Sequence, residues 1–183
     1  AVAQALATLG FPAVGSPEQA DRIVFVARAN AEEALRPWLE RADRGARVLI
    51  LPLAPPAIEA SLRALGISAT LAIARGHWAP VAHYAEERSV LEGLPPDRLL
   101  GQAYADALPQ LCVLPLQPAT LLACCSYKQQ APWTCPSEFW WASTAFEKTV
   151  GRGGALMTTL PLATAATGVV ARRLLGNLLA RGE

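Results

Sequence analysis

Apolar residues recur along the first third of the chain with two alternating rhythms. Val2, Ala5, Leu6 and Leu9 repeat at i, i+3, i+4, i+7 and meet Gly10, which predicts a helix with a glycine stop. "RIVFVA" (22–27) follows as a short β-rich run of the buried-strand kind. Asn30 is placed to cap the next helix, whose inward stripe is Ala31, Ala34, Leu35, Trp38, Leu39 and Ala42, with a kink expected at Pro37. Gly45 closes that helix, Val48 to Leu51 form a second apolar strand, and "PPAIEASLRALGI" supplies a helix with Ile58, Leu62 and Leu65 on one side and Gly66 as its stop. Strand and helix alternating at these spacings predict a mostly parallel sheet with helices on both faces.

After residue 70 the rhythm loosens, with several proline breaks. "LCVLPL" (111–116) and "ATLLACCSY" (119–127), separated by a turn containing Pro118, predict an antiparallel excursion in the second half. "KQQAPWTCPSEFWWASTAFEKTVGRGG" reads as an aromatic-rich loop leading to a turn of glycines around Arg152, and "ALMTTLPL" as the last strand. In the closing "ATGVVARRLLGNLLARGE", a helix would gather Val170, Ala171, Leu174, Leu175, Leu178 and Leu179 on one half of its surface. Arg172, Arg173, Gly176, Asn177 and Arg181 fall on the other. The paired arginines are then the wet side of a packing helix. Burial contributes on the order of 1.5–3 kcal/mol per leucine, more than screened surface charges can.

Composition narrows the function classes. The chain has 183 residues, 52% of them hydrophobic, and a formal net charge of +1. That suits one domain, residues 1–183, and provides no field to concentrate nucleic acid or hold acidic lipid. No apolar run reaches the ~20 residues that cross a bilayer. The chain begins within a helix-like pattern without an initiator Met, as expected for a fragment of a larger multidomain protein. Cys112, Cys124, Cys125 and Cys135 form no C-x-x-C pair, and with only His77 and His83 beside them they lack a zinc spacing. Reduced thiols, no metal, no cofactor and a reducing, cytoplasmic setting are expected.

The back half carries a resemblance. "SVLEGLPPDRLLGQAYADALPQ", then "GRGGALMTTLPL", then "GVVARRLLGNLLA" resemble, in order, the C-terminal glutamine-amidotransferase-like domain of glycoside hydrolase family 2 enzymes of the β-galactosidase and β-glucuronidase type. Ser89 stands where the family pattern has His, and Val169 or Val170 where it has Pro. The resemblance implies a flavodoxin-like, class I amidotransferase-like α/β fold. It implies an accessory domain that packs on other domains or subunits of a glycoside hydrolase whose catalytic carboxylates lie elsewhere.

An amidotransferase nucleophile needs a Cys on a Gly-rich strand-to-helix elbow, with His and Glu later in the chain. None of the four cysteines has flanking glycines, and no His follows any of them. "GRGGA" precedes a strand and reads as a hairpin turn, not a phosphate loop. Glu86, Glu87, Glu92, Asp97, Asp106 and Glu138 lie in loop-like sequence and give no evident pair of the kind that cleaves glycosides.

The one stretch with ligand-like composition is "APWTCPSEFWWAS". It places Trp133, Phe139, Trp140 and Trp141 near Glu138 and Ser137, and His77 and Trp78 are candidates for the same end of the sheet. Aromatic rings stack on the C–H faces of sugars, and the same residue types cover interfaces. Three readings follow: a non-catalytic accessory domain, a stand-alone amidotransferase-like small-molecule hydrolase using Cys112 or Ser126, and a carbohydrate-binding module working through the Trp133–Trp141 segment.

Overall fold

The computed structural model describes residues 1–11, 16–74, 82–95, 98–118, 120–128 and 138–181; side chains at 17, 120, 121, 124–128 and 138–140 lie outside that description. The chain is mixed α/β. In chain order the elements are α1 (Val2–Thr8), β1 (Arg22–Ala27), α2 (Ala31–Ala34), α3 (Arg36–Asp43), β2 (Arg47–Pro52), α4 (Pro55–Ala64), β3 (Thr70–Ile73) and β4 (Ala82–Ala85). They continue with β5 (Leu111–Leu114), β6 (Thr120–Lys128), β7 (Glu138–Val150), β8 (Gly153–Thr158), α5 (Leu162–Ala165) and α6 (Val169–Ala180). Short 3-10 turns occupy Pro17–Gln19, Arg88–Leu91 and Gln102–Ala107.

At the core of the sheet, β1, β2 and β8 run parallel, Arg22 beside Arg47 and Val48 beside Ala155. Side-chain alternation divides the central strands between two layers. Val48, Ile50, Ala155 and Met157 pack under α2, α3 and α4, whereas Leu49, Leu51 and Leu156 pack under α1, α5 and α6. β2 is apolar at every inner position because both faces are covered, the condition that makes parallel strands read as continuous runs. β1 has only β2 beside it, and most of its side chains are half-buried. "RIVFVA" is therefore an edge strand, not a fully buried one.

Helix signals in the sequence have physical counterparts. Gly10, Gly45 and Gly66 end their helices with positive φ. The expected kink at Pro37 is a break: α2 ends at Ala34, and α3 restarts with the proline in its first turn, where its missing N–H costs nothing. Asn30 occupies the N-cap position of α2 but makes no side-chain capping bond.

The antiparallel part is larger than the excursion expected. β5 and β6 do not pair with each other; β5 pairs β3 and β7, and β6 pairs β4 and β7. The stretch read as a loop is, from Glu138 to Val150, the longest strand of the sheet, joined to β6 along its first part and to β8 along its last. Its Ser143, Thr144, Glu147 and Lys148 break the apolar run that marks a strand in sequence. Ser143 nevertheless lies buried, its Oγ accepting a hydrogen bond from the Gln117 N–H at 2.8 Å.

α6 buries Ala171, Leu174, Leu175, Leu178 and Leu179 as its periodicity predicts. Its other half is less wet than expected. Gly176 is buried against Leu9 of the segment after α1, and Asn177 Nδ2 donates to the carbonyls of Val90 (2.8 Å) and Glu92 (2.9 Å). Arg173 Nε donates to the same Glu92 carbonyl at 2.9 Å. The polar stripe thus holds the Arg88–Leu91 turn against the helix. No helix among the described residues is long and apolar enough to cross a membrane.

Candidate functional site: an aromatic sheet face

β4, β6 and β7 align Tyr84, Ala123 and Ser143 in one cross-strand row, and an isolated bridge adds Leu99 opposite Tyr84. Residues directly opposite share a face, and Trp141, two positions before Ser143, shares it too. The rings of Tyr84 and Trp141 lie 6.1 Å apart at 57°, within the range of attractive tilted contacts. Arg98 Nη1 donates to the Tyr84 hydroxyl at 3.1 Å, and its guanidinium carbon lies 6.0 Å from the ring centroid. Trp141 is 45% exposed and Leu99 61% exposed, so the face combines two aromatic rings, an aliphatic group and an arginine at the surface.

Of the residues singled out from sequence, Trp141 belongs to this face. Glu138, Phe139 and Trp140 precede it on β7, opposite Lys128, Tyr127 and Ser126. They stand on a strand instead of a loop, and their side chains lie outside the described residues. Trp133, Ser137, His77 and Trp78 also lie outside them. Sequence reasoning missed Tyr84, Arg98 and Leu99. Their signal was weak, because "AHYA" is too short for a β period to stand out.

The catalytic alternatives meet specific obstacles. Cys112, one of the two proposed nucleophiles, is fully buried, its Sγ 3.6 Å from the Ala72 carbonyl oxygen, where no substrate from solvent reaches it. Ser126 stands on β6, its side chain outside the described residues. His83 is buried on β4, and its Nδ1 has no hydrogen-bond partner among the described residues; desolvation pushes its pKa below the ordinary imidazole range.

Of the acidic residues singled out, Glu87 and Glu92 share a cleft whose arginines hold its carboxylates, and Asp106 stands apart. Glu87 and Glu92 line a polar cleft at the amino end of β2, with Arg47, Glu147 and Arg181. Arg181 pairs with Glu147 at 3.4 Å and Glu87 at 3.5 Å, and Arg47 with Glu147 at 3.2 Å. Asp106 lies at the other end of β2, about 17 Å away by strand rise, beyond the span of a glycosidase carboxyl pair. Asp97 is outside the described residues.

Open α/β sheets display their chemistry beyond the carboxyl ends of the parallel strands. Here Leu53 and Ala54 follow β2 before α4 starts with Pro55 and Pro56, and Thr159 and Leu160 follow Thr158 at the end of β8. The hydroxyls of Thr158 and Thr159 both donate to the Thr144 carbonyl, at 2.9 and 3.3 Å. Neither strand end presents a cysteine, a serine or a histidine. Among the described residues no cluster of three His, Cys, Asp or Glu side chains is placed to hold a metal ion. No protein-family model matches the chain, and no curated protein matches its sequence.

Proposed function

We propose that this chain is a non-catalytic accessory domain of a glycoside hydrolase, packing on another domain or subunit through the Tyr84–Arg98–Trp141 face. The observation that carries the reading is that face. Tryptophan, tyrosine and arginine dominate the energetics of protein interfaces, and all three meet here at the surface of one sheet. The absence of a nucleophile from the carboxyl ends of β2 and β8 and the burial of Cys112 support the non-catalytic part. The glycoside hydrolase part rests on the resemblance of "GRGGALMTTLPL" and "GVVARRLLGNLLA". The flavodoxin-like likeness is proposed for the parallel core alone. β1 stands at the sheet edge, whereas a flavodoxin order of 2-1-3-4-5 encloses the first strand.

The test compares the natively expressed protein with the isolated chain. Trp141→Ala and Tyr84→Ala lower the melting temperature of the native protein by more than that of the isolated 183-residue chain, which loses only the contacts within the face. Equal effects in both would assign the rings to internal packing and remove the interface. A second reading, carbohydrate binding by the same face, is favoured by the exposure of Trp141. It predicts that lactose quenches tryptophan fluorescence of the isolated chain and that Trp141→Ala abolishes the quenching.

A further inference from the structure

β2 and β8 are adjacent parallel strands whose connections diverge. The chain leaves β2 for α4, in the layer of Val48 and Ile50, and leaves β8 for α5 and α6, in the layer of Leu49 and Leu51. Two parallel neighbours that part to opposite faces open a crevice between their carboxyl ends, the position where open α/β sheets bind ligands. A crevice of about 390 Å³ lies there, walled by the β2–α4 and β8–α5 connections and by residues 105–111. Its volume falls within the range of small-molecule sites.

The lining determines the ligand's charge. Leu53, Ile58, Leu108 and Leu111 supply apolar walls, and Leu53 is 43% exposed into solvent. The usual anion cradle at this place, a helix N-terminus with free N–H groups, is missing. Pro55 and Pro56 have no N–H, and the amides of Ala57 and Ile58 both donate to the Ala54 carbonyl. Two hydroxyls of the lining are also committed, Thr159 to the Thr144 carbonyl and Thr164 to the Pro161 carbonyl. Among the described residues, Asp106 is the one formally charged side chain in the lining, which the Gln110 amide shares.

We infer that this crevice is a binding site for a small organic cation with an apolar body, held by the leucine and isoleucine walls and oriented by Asp106. The site is independent of the aromatic face and requires no catalysis.

Benzylammonium, benzyl alcohol and benzoate share a ring and differ in charge, which makes them direct probes for the 183-residue chain by amide chemical-shift mapping. Benzylammonium shifts the amides of Leu53, Leu108 and Thr159 and binds about threefold more tightly than benzyl alcohol, the gain an exposed ion pair provides. Benzoate binds most weakly. Asp106→Asn removes the preference for benzylammonium over benzyl alcohol and leaves the alcohol's affinity unchanged. Leu53→Trp, whose larger ring fills the crevice, weakens all three probes, with unchanged far-UV circular dichroism as the check on folding. Shifts that map elsewhere, benzoate binding as tightly as benzylammonium, or an ammonium preference that survives Asp106→Asn would each overturn the assignment.

Discussion

Replacing Gly153 by alanine tests whether the glycines of "GRGGA" serve packing. Val150 pairs with Gly153 across a two-residue turn, and Gly151 at its tip has φ +55°. The turn is pressed onto the α3–β2 connection: the Arg152 N–H donates to the Asp43 carbonyl at 3.0 Å and Arg152 Nη2 to the Arg44 carbonyl at 3.0 Å. A Cβ on Gly153 would stand 2.1 Å from the Ala46 carbonyl oxygen, 2.5 Å from that of Ala42 and 2.8 Å from the Gly45 carbonyl carbon. Non-bonded heavy atoms settle near about 3.5 Å, so backbone must move by more than about 1 Å. No side chain can rotate away to relieve the overlap. Overpacking by one methyl costs roughly 1–3 kcal/mol, and the rigid neighbours place Gly153→Ala at the upper end, about 3 kcal/mol. In a chain of this length each kcal/mol shifts the melting temperature by about 2–4 °C, which predicts a loss of roughly 6–12 °C by circular dichroism. Gly101→Ala is the control, because its Cβ meets nothing within 4 Å. A Gly153→Ala protein melting within about 2 °C of the parent would refute the packing explanation and reopen a ligand role for the turn.

The two sides of α6 predict contrasting urea midpoints. Leu175→Ala empties a fully buried position and costs about 2–5 kcal/mol, whereas Arg172→Ala stays within about 0.5 kcal/mol. Asn177→Leu leaves the Val90 carbonyl without its side-chain donor, the Glu92 carbonyl keeping Arg173, and destabilises by about 1–3 kcal/mol; an unchanged midpoint would show that water replaces the amide freely. His83 makes stability pH-dependent. Its folded pKa lies below the unfolded value near 6.5, so between the two the unfolded chain binds more protons. The stabilisation is complete above the unfolded pKa and falls as pH drops through about 6.5 towards the folded value. His83→Leu flattens that part of the urea-midpoint profile, and a slope identical to the parent's would assign it to other groups.

The parallel core was legible because both of its faces are covered. "RVLILP" and "ALMT" advertise buried strands by continuous apolarity, and the glycines at 45 and 66 mark helix ends with the positive φ they adopt. β7 was not legible, since its buried Ser143 and Thr144 look like loop residues until Gln117 is seen to bond the Ser143 hydroxyl, and Thr158 and Thr159 the Thr144 carbonyl. β3 and β4 are four residues each, too short to establish a period. The candidate site was half visible for the same reason. Trp141 stood out by composition, but Tyr84, Arg98 and Leu99 join it only through pairing between strands distant in sequence. α6 showed its leucine stripe plainly, while the role of Asn177 depended on carbonyls more than eighty residues earlier.

The most direct test of the accessory-domain account is the intact mass of the natively expressed polypeptide that carries this sequence, measured together with its hydrolysis of aryl β-glycosides. The account predicts a species far larger than 19.4 kDa that hydrolyses them and keeps its catalytic carboxylates outside these 183 residues. A native polypeptide of 19.4 kDa, folded and unassociated, would contradict it.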